Sequence, residues 1–186
     1  GRPHAEEVAI REAVENVYGA TLYVTLEPCA HYRDTSPCIE KIVSASIKRV
    51  VIGTLDPDPR TNGQGIMFLR ENGIIVSVGC LKDKAENVIA GFKSRITKKR
   101  PFITVKIASS LDSKIALSNG ISKWITNKHT RRLVHLYRAR NDAILTGIGT
   151  INKDNPSLDC RILGLEKFSP KIIILDSKLI INKKSK

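Results

Sequence analysis

The chain has 186 residues, 41% of them hydrophobic and 26% charged, with a formal net charge of +13. That length supports a real core in one large or two small domains. No apolar run approaches the roughly 18 residues that a membrane span needs, which excludes a transmembrane protein and leaves a globular one.

The first residues carry a charged helical pattern with no apolar signal segment, so the expected compartment is the cytoplasm. Cys29, Cys38, Cys80 and Cys160 are too few for a disulfide framework and suit reduced thiols. The charge is uneven: residues 1–100 hold 15 basic and 12 acidic side chains, and residues 101–186 hold 16 and 6. A basic second half can attract nucleic acid or a small phosphorylated ligand, or its lysines can simply be solvated.

Taken in order, residues 5–17 place Ala5, Val8, Ala9, Ala13 and Val17 on one helical stripe. A strand is predicted at 22–26, a helix at 38–46, a strand at 49–54, a helix at 64–72, a strand at 74–78 and a helix at 84–95. Three cations and a proline at 98–101 mark a linker between domains at 1–97 and 98–186. Beyond it, alternation predicts a strand at 102–108. A helix follows at 128–140, with strands at 143–146 and 171–175. Strands alternating with helices imply an α/β fold with a largely parallel sheet.

The most informative constellation is His4-Ala5-Glu6 followed by Pro28-Cys29 and Pro37-Cys38. One imidazole and two thiolates make a three-donor zinc site with a fourth position for water, as catalytic zinc requires. Each cysteine follows a proline and is expected to open a helix, whose N-terminus favours the thiolate. Glu6 is then placed to carry a proton from water to a leaving amine. A lone His-x-Glu is a weak signal, and a lone cysteine pair reads equally well as two core thiols. The combination is far more specific, although eight residues separate the cysteines where zinc nucleobase deaminases usually have two. His31 shares the loop and reads as substrate-facing or merely polar. Cys80 and Cys160 have no His or Cys at ligand spacing and read as ordinary thiols.

The stretch 26–38, with Glu27-Pro28-Cys29 at its start and Pro37-Cys38 at its end, resembles the long zinc loop of the bifunctional riboflavin-biosynthesis deaminase-reductase family. Asp56-Pro57-Asp58-Pro59, Gly63-Gln64-Gly65, 106–113, 122–126 and 154–161 continue the similarity in order. The resemblance implies a zinc cytidine-deaminase-like three-layer domain followed by a partial dihydrofolate-reductase-like α/β domain. It implies Zn2+ held by His4, Cys29 and Cys38, with Glu6 as the catalytic proton carrier. It places Ala108, Trp124, Thr150, Asp154 and Ser177 at NADPH-contacting positions. Ser122, Arg138, Leu158 and Arg161 fall at substrate-contacting positions, where the two arginines suit a ribose phosphate. Trp124 reads alternatively as a core aromatic, and Arg138 as a helix-end cation.

The implied reactions are deamination of a diaminopyrimidine bearing a ribosylamino 5′-phosphate, then NADPH-dependent reduction of its ribosyl group to ribityl. A small phosphorylated pyrimidine would account for the basic half without nucleic acid or membrane, and a homo-oligomer is left open. Three departures stand out: little sequence precedes His4, Asp34 stands where the family has a cation, and the chain stops soon after Ser177. On that basis the chain is expected to look cut short at both ends and to turn over poorly. A catalytically inactive zinc-binding remnant and a nucleobase or nucleic-acid deaminase are the rival readings.

Overall fold

The computed structural model describes residues 3–32, 36–182 and 184–186. They form two compact units, Gly1–Thr104 and Val105–Lys186. The first contains α1 (Ala5–Ala13), β1 (Thr21–Leu26), α2 (Cys38–Ser44), β2 (Arg49–Thr54), α3 (Gln64–Glu71), β3 (Ile75–Val78), α4 (Lys82–Val88) and α5 (Ala90–Lys98). The second contains α6 (Lys128–Ala139), β4 (Ala143–Gly147), α7 (Ile148–Asp154), a 3-10 turn (Glu166–Phe168) and β5 (Lys171–Leu175).

The Val-Val-Ile run inside 49–54 makes β2 the central strand, because both of its faces are buried. It pairs in parallel with β1 on one side and β3 on the other, with Val50 opposite Leu22 and Val76. Val50 and Ile52 pack with Ile39 and Ile42 of α2 and Ile66 and Leu69 of α3. On the opposite face α4 closes directly over Gly53. A Cβ there would come within 2.7 Å of both the Ala85 Cβ and the Thr25 carbonyl, so only glycine admits α4 at this depth.

Several sequence expectations are corrected here. The stripe at 5–17 is not one helix: α1 ends at Val14, which takes φ 48°, and a 3-10 turn (Val14–Val17) re-aims the chain toward β1. The helix expected at 84–95 is two helices that break at Ile89. Helix α4 packs Ala85 against β2, and α5 carries Phe92 and Arg95 to the cleft described below. The strand expected at 102–108 does not form among the described residues. Its alternating Ile103, Val105 and Ile107 are exposed, and alternation makes a strand only where a partner supplies the ladder.

In the second unit β4 and β5 form a parallel pair, Ala143 opposite Lys171 through Gly147 opposite Leu175. Asn127 caps α6, its side-chain oxygen accepting the Thr130 N–H at 2.9 Å. Helix α7, which follows β4 directly, has no counterpart in the sequence reading.

Candidate metal centre and anion-binding positions

His4 precedes the first residue of α1, Cys29 lies in the loop after β1, and Cys38 opens α2 behind Pro37. The expected helix start at Cys29 is therefore corrected: residues 27–30 are irregular. Cys29 is instead tied to the start of α2, where its sulfur accepts the Cys38 N–H at 3.3 Å and its carbonyl accepts the Ile39 N–H at 3.4 Å.

His4 Nδ1 lies 3.1 Å from Cys38 Sγ and 3.6 Å from Cys29 Sγ, and the three donor atoms all fall within 4.8 Å of one another. The two thiols are hydrogen-bonded to each other. The hydrogen bond from Cys38 lowers the pKa of Cys29 to about 5, whereas the bond to Cys29 and burial push Cys38 up. Cys29 is thus the thiolate of the pair, which is the form a metal takes. Glu6, in the first turn of α1, is close enough for its charge to contribute to the rise at Cys38.

His4 and Cys29 open on a cleft of about 250 Å³, lined also by His31, Asp58, Phe92 and Arg95. His31 Nδ1 lies 3.1 Å from the hydroxyl of the fully buried Thr61. Arg60 Nε and Nη2 reach Asp58 at 2.9 and 2.5 Å, and the guanidinium holds that carboxyl well below its usual range. Burial pushes neighbouring Asp56 up. Arg33 and Asp34 lie outside the described residues.

Glu27, to which the sequence pattern assigns no role, ties together the loops around this cleft. It is 2% exposed and forms no ion pair among the described residues. Its Oε2 accepts the N–H groups of Asp56 at 3.3 Å and Gly63 at 3.0 Å, and its Oε1 those of Gly65 at 3.1 Å and Ile66 at 3.4 Å. Peptide dipoles thus compensate the buried carboxylate, and the 56–66 loop is pinned against the loop of Cys29. Gly65 permits the contact, since a Cβ there would lie 2.6 Å from the Pro28 carbonyl.

In the second unit Ser122 and Trp124 line a cleft of about 690 Å³ together with Ser110, Asp112 and Lys114. Ala108, Thr150, Asp154 and Ser177 are not among its lining residues, and the last three are exposed. Trp124 is 71% exposed, which removes its reading as a core aromatic. Arg131 stacks on its ring, 4.2 Å from the centroid. Arg138 and Arg161 meet at Asp159: Arg138 Nη1 donates to its carbonyl at 2.9 Å, and Arg161 Nε lies 3.7 Å from its carboxylate. Leu158, beside them, is buried.

Comparison with known proteins agrees with both halves of this arrangement. The family described as the cytidine and deoxycytidylate deaminase zinc-binding region matches residues 1–54, and that described as the RibD C-terminal domain matches residues 101–186. Riboflavin biosynthesis protein RibD of Aquifex aeolicus is 47% identical over 179 residues, covering 96% of this chain and 50% of that protein. RibD of Escherichia coli is 44% identical over 161 residues, 87% of this chain and 43% of that protein. A Thermotoga maritima structure is described as a diaminohydroxyphosphoribosylaminopyrimidine deaminase/5-amino-6-(5-phosphoribosylamino)uracil reductase. It matches 99% of this chain and 52% of its own length at 46% identity, with a TM-score of 0.91. The chain therefore spans about half the length of the relatives it matches. Its fold is α/β, a deaminase-like zinc region followed by a reductase-type domain, and the chain belongs to the RibD family of riboflavin biosynthesis proteins.

Proposed function

We propose that residues 1–97 form a zinc-dependent pyrimidine deaminase domain and that residues 98–186 belong to an NADPH-dependent reductase domain of riboflavin biosynthesis. The observation that carries this reading is the convergence of His4, Cys29 and Cys38. Two sulfurs and an imidazole nitrogen suit zinc in number and softness, and His4, Cys29 and Cys38 would hold it. Zinc supplies the Lewis acidity that makes water nucleophilic near neutral pH. Glu6 would move a proton from the attacking water to the departing amine, as the ring carbon bonds to the water oxygen, its C–N bond breaks and ammonia leaves. Glu27 holds the 56–66 loop, which brings Asp56, Asp58 and Arg60 to the cleft.

The substrate on this reading is a diaminopyrimidine bearing a ribosylamino 5′-phosphate. The reductase step converts its ribosyl group to ribityl with hydride from NADPH, which Ala108, Trp124, Thr150, Asp154 and Ser177 contact. Ser122, Arg138, Leu158 and Arg161 contact the sugar phosphate. The small anionic substrate accounts for the basic second half, so neither nucleic acid nor membrane is a partner. No helix among the described residues is long and apolar enough to cross a membrane. Self-association is compatible with it.

The test is ammonia release from the phosphorylated diaminopyrimidine by the zinc-loaded chain. Glu6→Gln should lower the rate by about 100-fold or more with zinc content unchanged, and Cys38→Ser should lose zinc. Equal turnover in Glu6→Gln would overturn the assignment of Glu6. NADPH titration of the same chain tests the second domain.

A further inference from the structure

The segment 159–161 lies across α6, and two side chains one helical turn apart on α6 tether its backbone. His135 Nδ1 accepts the N–H of Arg161 at 3.2 Å, while Arg138 Nη1 donates to the carbonyl of Asp159 at 2.9 Å. Between these tethers Cys160 is buried, and its N–H donates to Ser169 Oγ at 3.0 Å. Three consecutive residues are thereby fixed. The result is that Arg138 and Arg161 are held close enough for each to feel the other's charge. Burial, then Arg161, lowers the pKa of Arg138, and the Asp159 carboxylate acts in the opposite direction. Arg138 Nε is buried with no hydrogen-bond partner among the described residues. Two cations held together with a donor to spare suit an anion that offers several acceptor oxygens.

His135 can serve as acceptor only when neutral, with its proton on Nε2. The same Nδ1 lies 3.2 Å from the Asp159 carbonyl. A proton added at Nδ1 would point at that carbonyl and leave the Arg161 N–H without its acceptor. The charged groups acting on His135 are Arg138 on its own helix and Arg161 and Asp159 on the facing segment. Glu166 and Lys167 belong to the 3-10 turn packed on α6. Burial, followed by the two arginines, lowers its pKa, so the neutral form prevails at neutral pH.

We propose that His135 is a positioning residue for a phosphate-binding pair made by Arg138 and Arg161, fixing Arg161 through its backbone N–H. The proposal rests on the reading of that pair given above. It predicts that phosphate binding weakens when His135 is protonated, although protonation adds positive charge, because the orientation of Arg161 is lost.

The test titrates the full chain with ribose 5-phosphate from about pH 5 to about pH 8, across the range in which histidine changes charge. His135→Phe should weaken binding about tenfold at the upper pH, the loss expected for one hydrogen bond that places a charged group. His135→Asn puts a side-chain oxygen near the position of Nδ1 and should restore affinity there, which also shows that the fold tolerates substitution. The phosphate's own second ionisation, near 6, is common to all variants. The histidine step is therefore the difference between the wild-type and His135→Asn profiles. Unchanged affinity in His135→Phe, or a His135→Asn profile that overlays the wild type, overturns the role of His135. If Arg161→Met still loses binding in that case, the arginine pair survives. Wild-type protein that does not bind, or Arg161→Met that binds as tightly, overturns the arginine pair and this proposal with it.

Discussion

Residues 1–104 build their site on a packed sheet, with β2 buried along five of its six positions and helices against both faces, whereas residues 105–186 carry theirs on segments tied down by polar contacts. In the second unit β4 and β5 stay half-buried or exposed, and the buried apolar side chains are few, among them Ile151, Leu158 and Cys160. The difference concerns how precision is obtained. The packed sheet and α2 support the His4, Cys29 and Cys38 cluster through buried Cys38, while the arginine pair depends on individual hydrogen bonds and is correspondingly open to single substitutions.

The largest expected effect probes the packed side. Leu69 is fully buried between α3 and the sheet, so Leu69→Ala should cost about 3 kcal/mol, lost transfer energy plus a cavity. Leu111, 106% exposed in the second unit, should change stability by less than about 0.5 kcal/mol when cut to alanine. Urea unfolding measures both, with hydrogen exchange followed at the β2 amides for Leu69→Ala and at the β4 amides for Leu111→Ala. Similar losses at the two positions would abolish the contrast.

Metal removal should come next. An ion present at 100 times its dissociation constant stabilises a fold by about 2.7 kcal/mol, and chelation should remove that from the unit containing His4, Cys29 and Cys38. The freed Cys29 has a pKa of about 5, so at pH 7 it is a thiolate and should alkylate readily, with the rate falling as pH drops through that value. Cys160, 2% exposed, should stay unmodified. Equal labelling of Cys29 before and after chelation, followed by mass spectrometry, would argue against metal at this position.

Glu27→Gln should cost about 2 kcal/mol, since both of its oxygens accept peptide N–H groups and an amide must turn a donor toward two of them. Zinc affinity should fall alongside stability, because the same residue anchors the loop before Cys29. A neutral substitution would mean that water replaces the lost acceptor.

Glu27 also marks the limit of sequence reading in this molecule. The donors His4, Cys29 and Cys38 were legible because their chemistry lies in residue type and spacing. The strand at 49–54 was legible because a bounded run of β-branched apolar residues has few alternatives. A glutamate before Pro28-Cys29 reads as an ordinary surface charge, and its four donors come from 29 to 39 positions later in the chain. The breaks at Val14 and Ile89 were illegible for a related reason. Neither carries a local breaker, and both arise where the chain must change direction to reach a tertiary partner. The alternation at 102–108 failed in the opposite sense, because local pattern encodes a strand's faces and says nothing of its neighbour.

The smallest expected effect tests the tethered side directly. Trp124 is the single tryptophan of the chain, so its fluorescence reports on the second unit alone. Arg131 stacks over its ring and also donates from Nη1 to the Thr126 carbonyl at 2.5 Å, so one side chain spans both ends of the 124–126 segment. Because the ring is largely exposed, the stack should contribute about 0.5–1 kcal/mol. Arg131→Gln should therefore leave the unit folded while freeing the ring, with emission moving to longer wavelength and acrylamide quenching becoming more efficient. Arg131→Lys should fall between, since it keeps the charge but loses the planar fork that lets one group stack and donate together. The cleft that Trp124 lines with Ser122 is the second half of the same measurement: a loosened ring should weaken NADPH binding more than it lowers stability. An unchanged spectrum in Arg131→Gln would mean that the backbone alone holds the ring, and the second unit would then be less dependent on side-chain tethers than the arrangement at His135 implies.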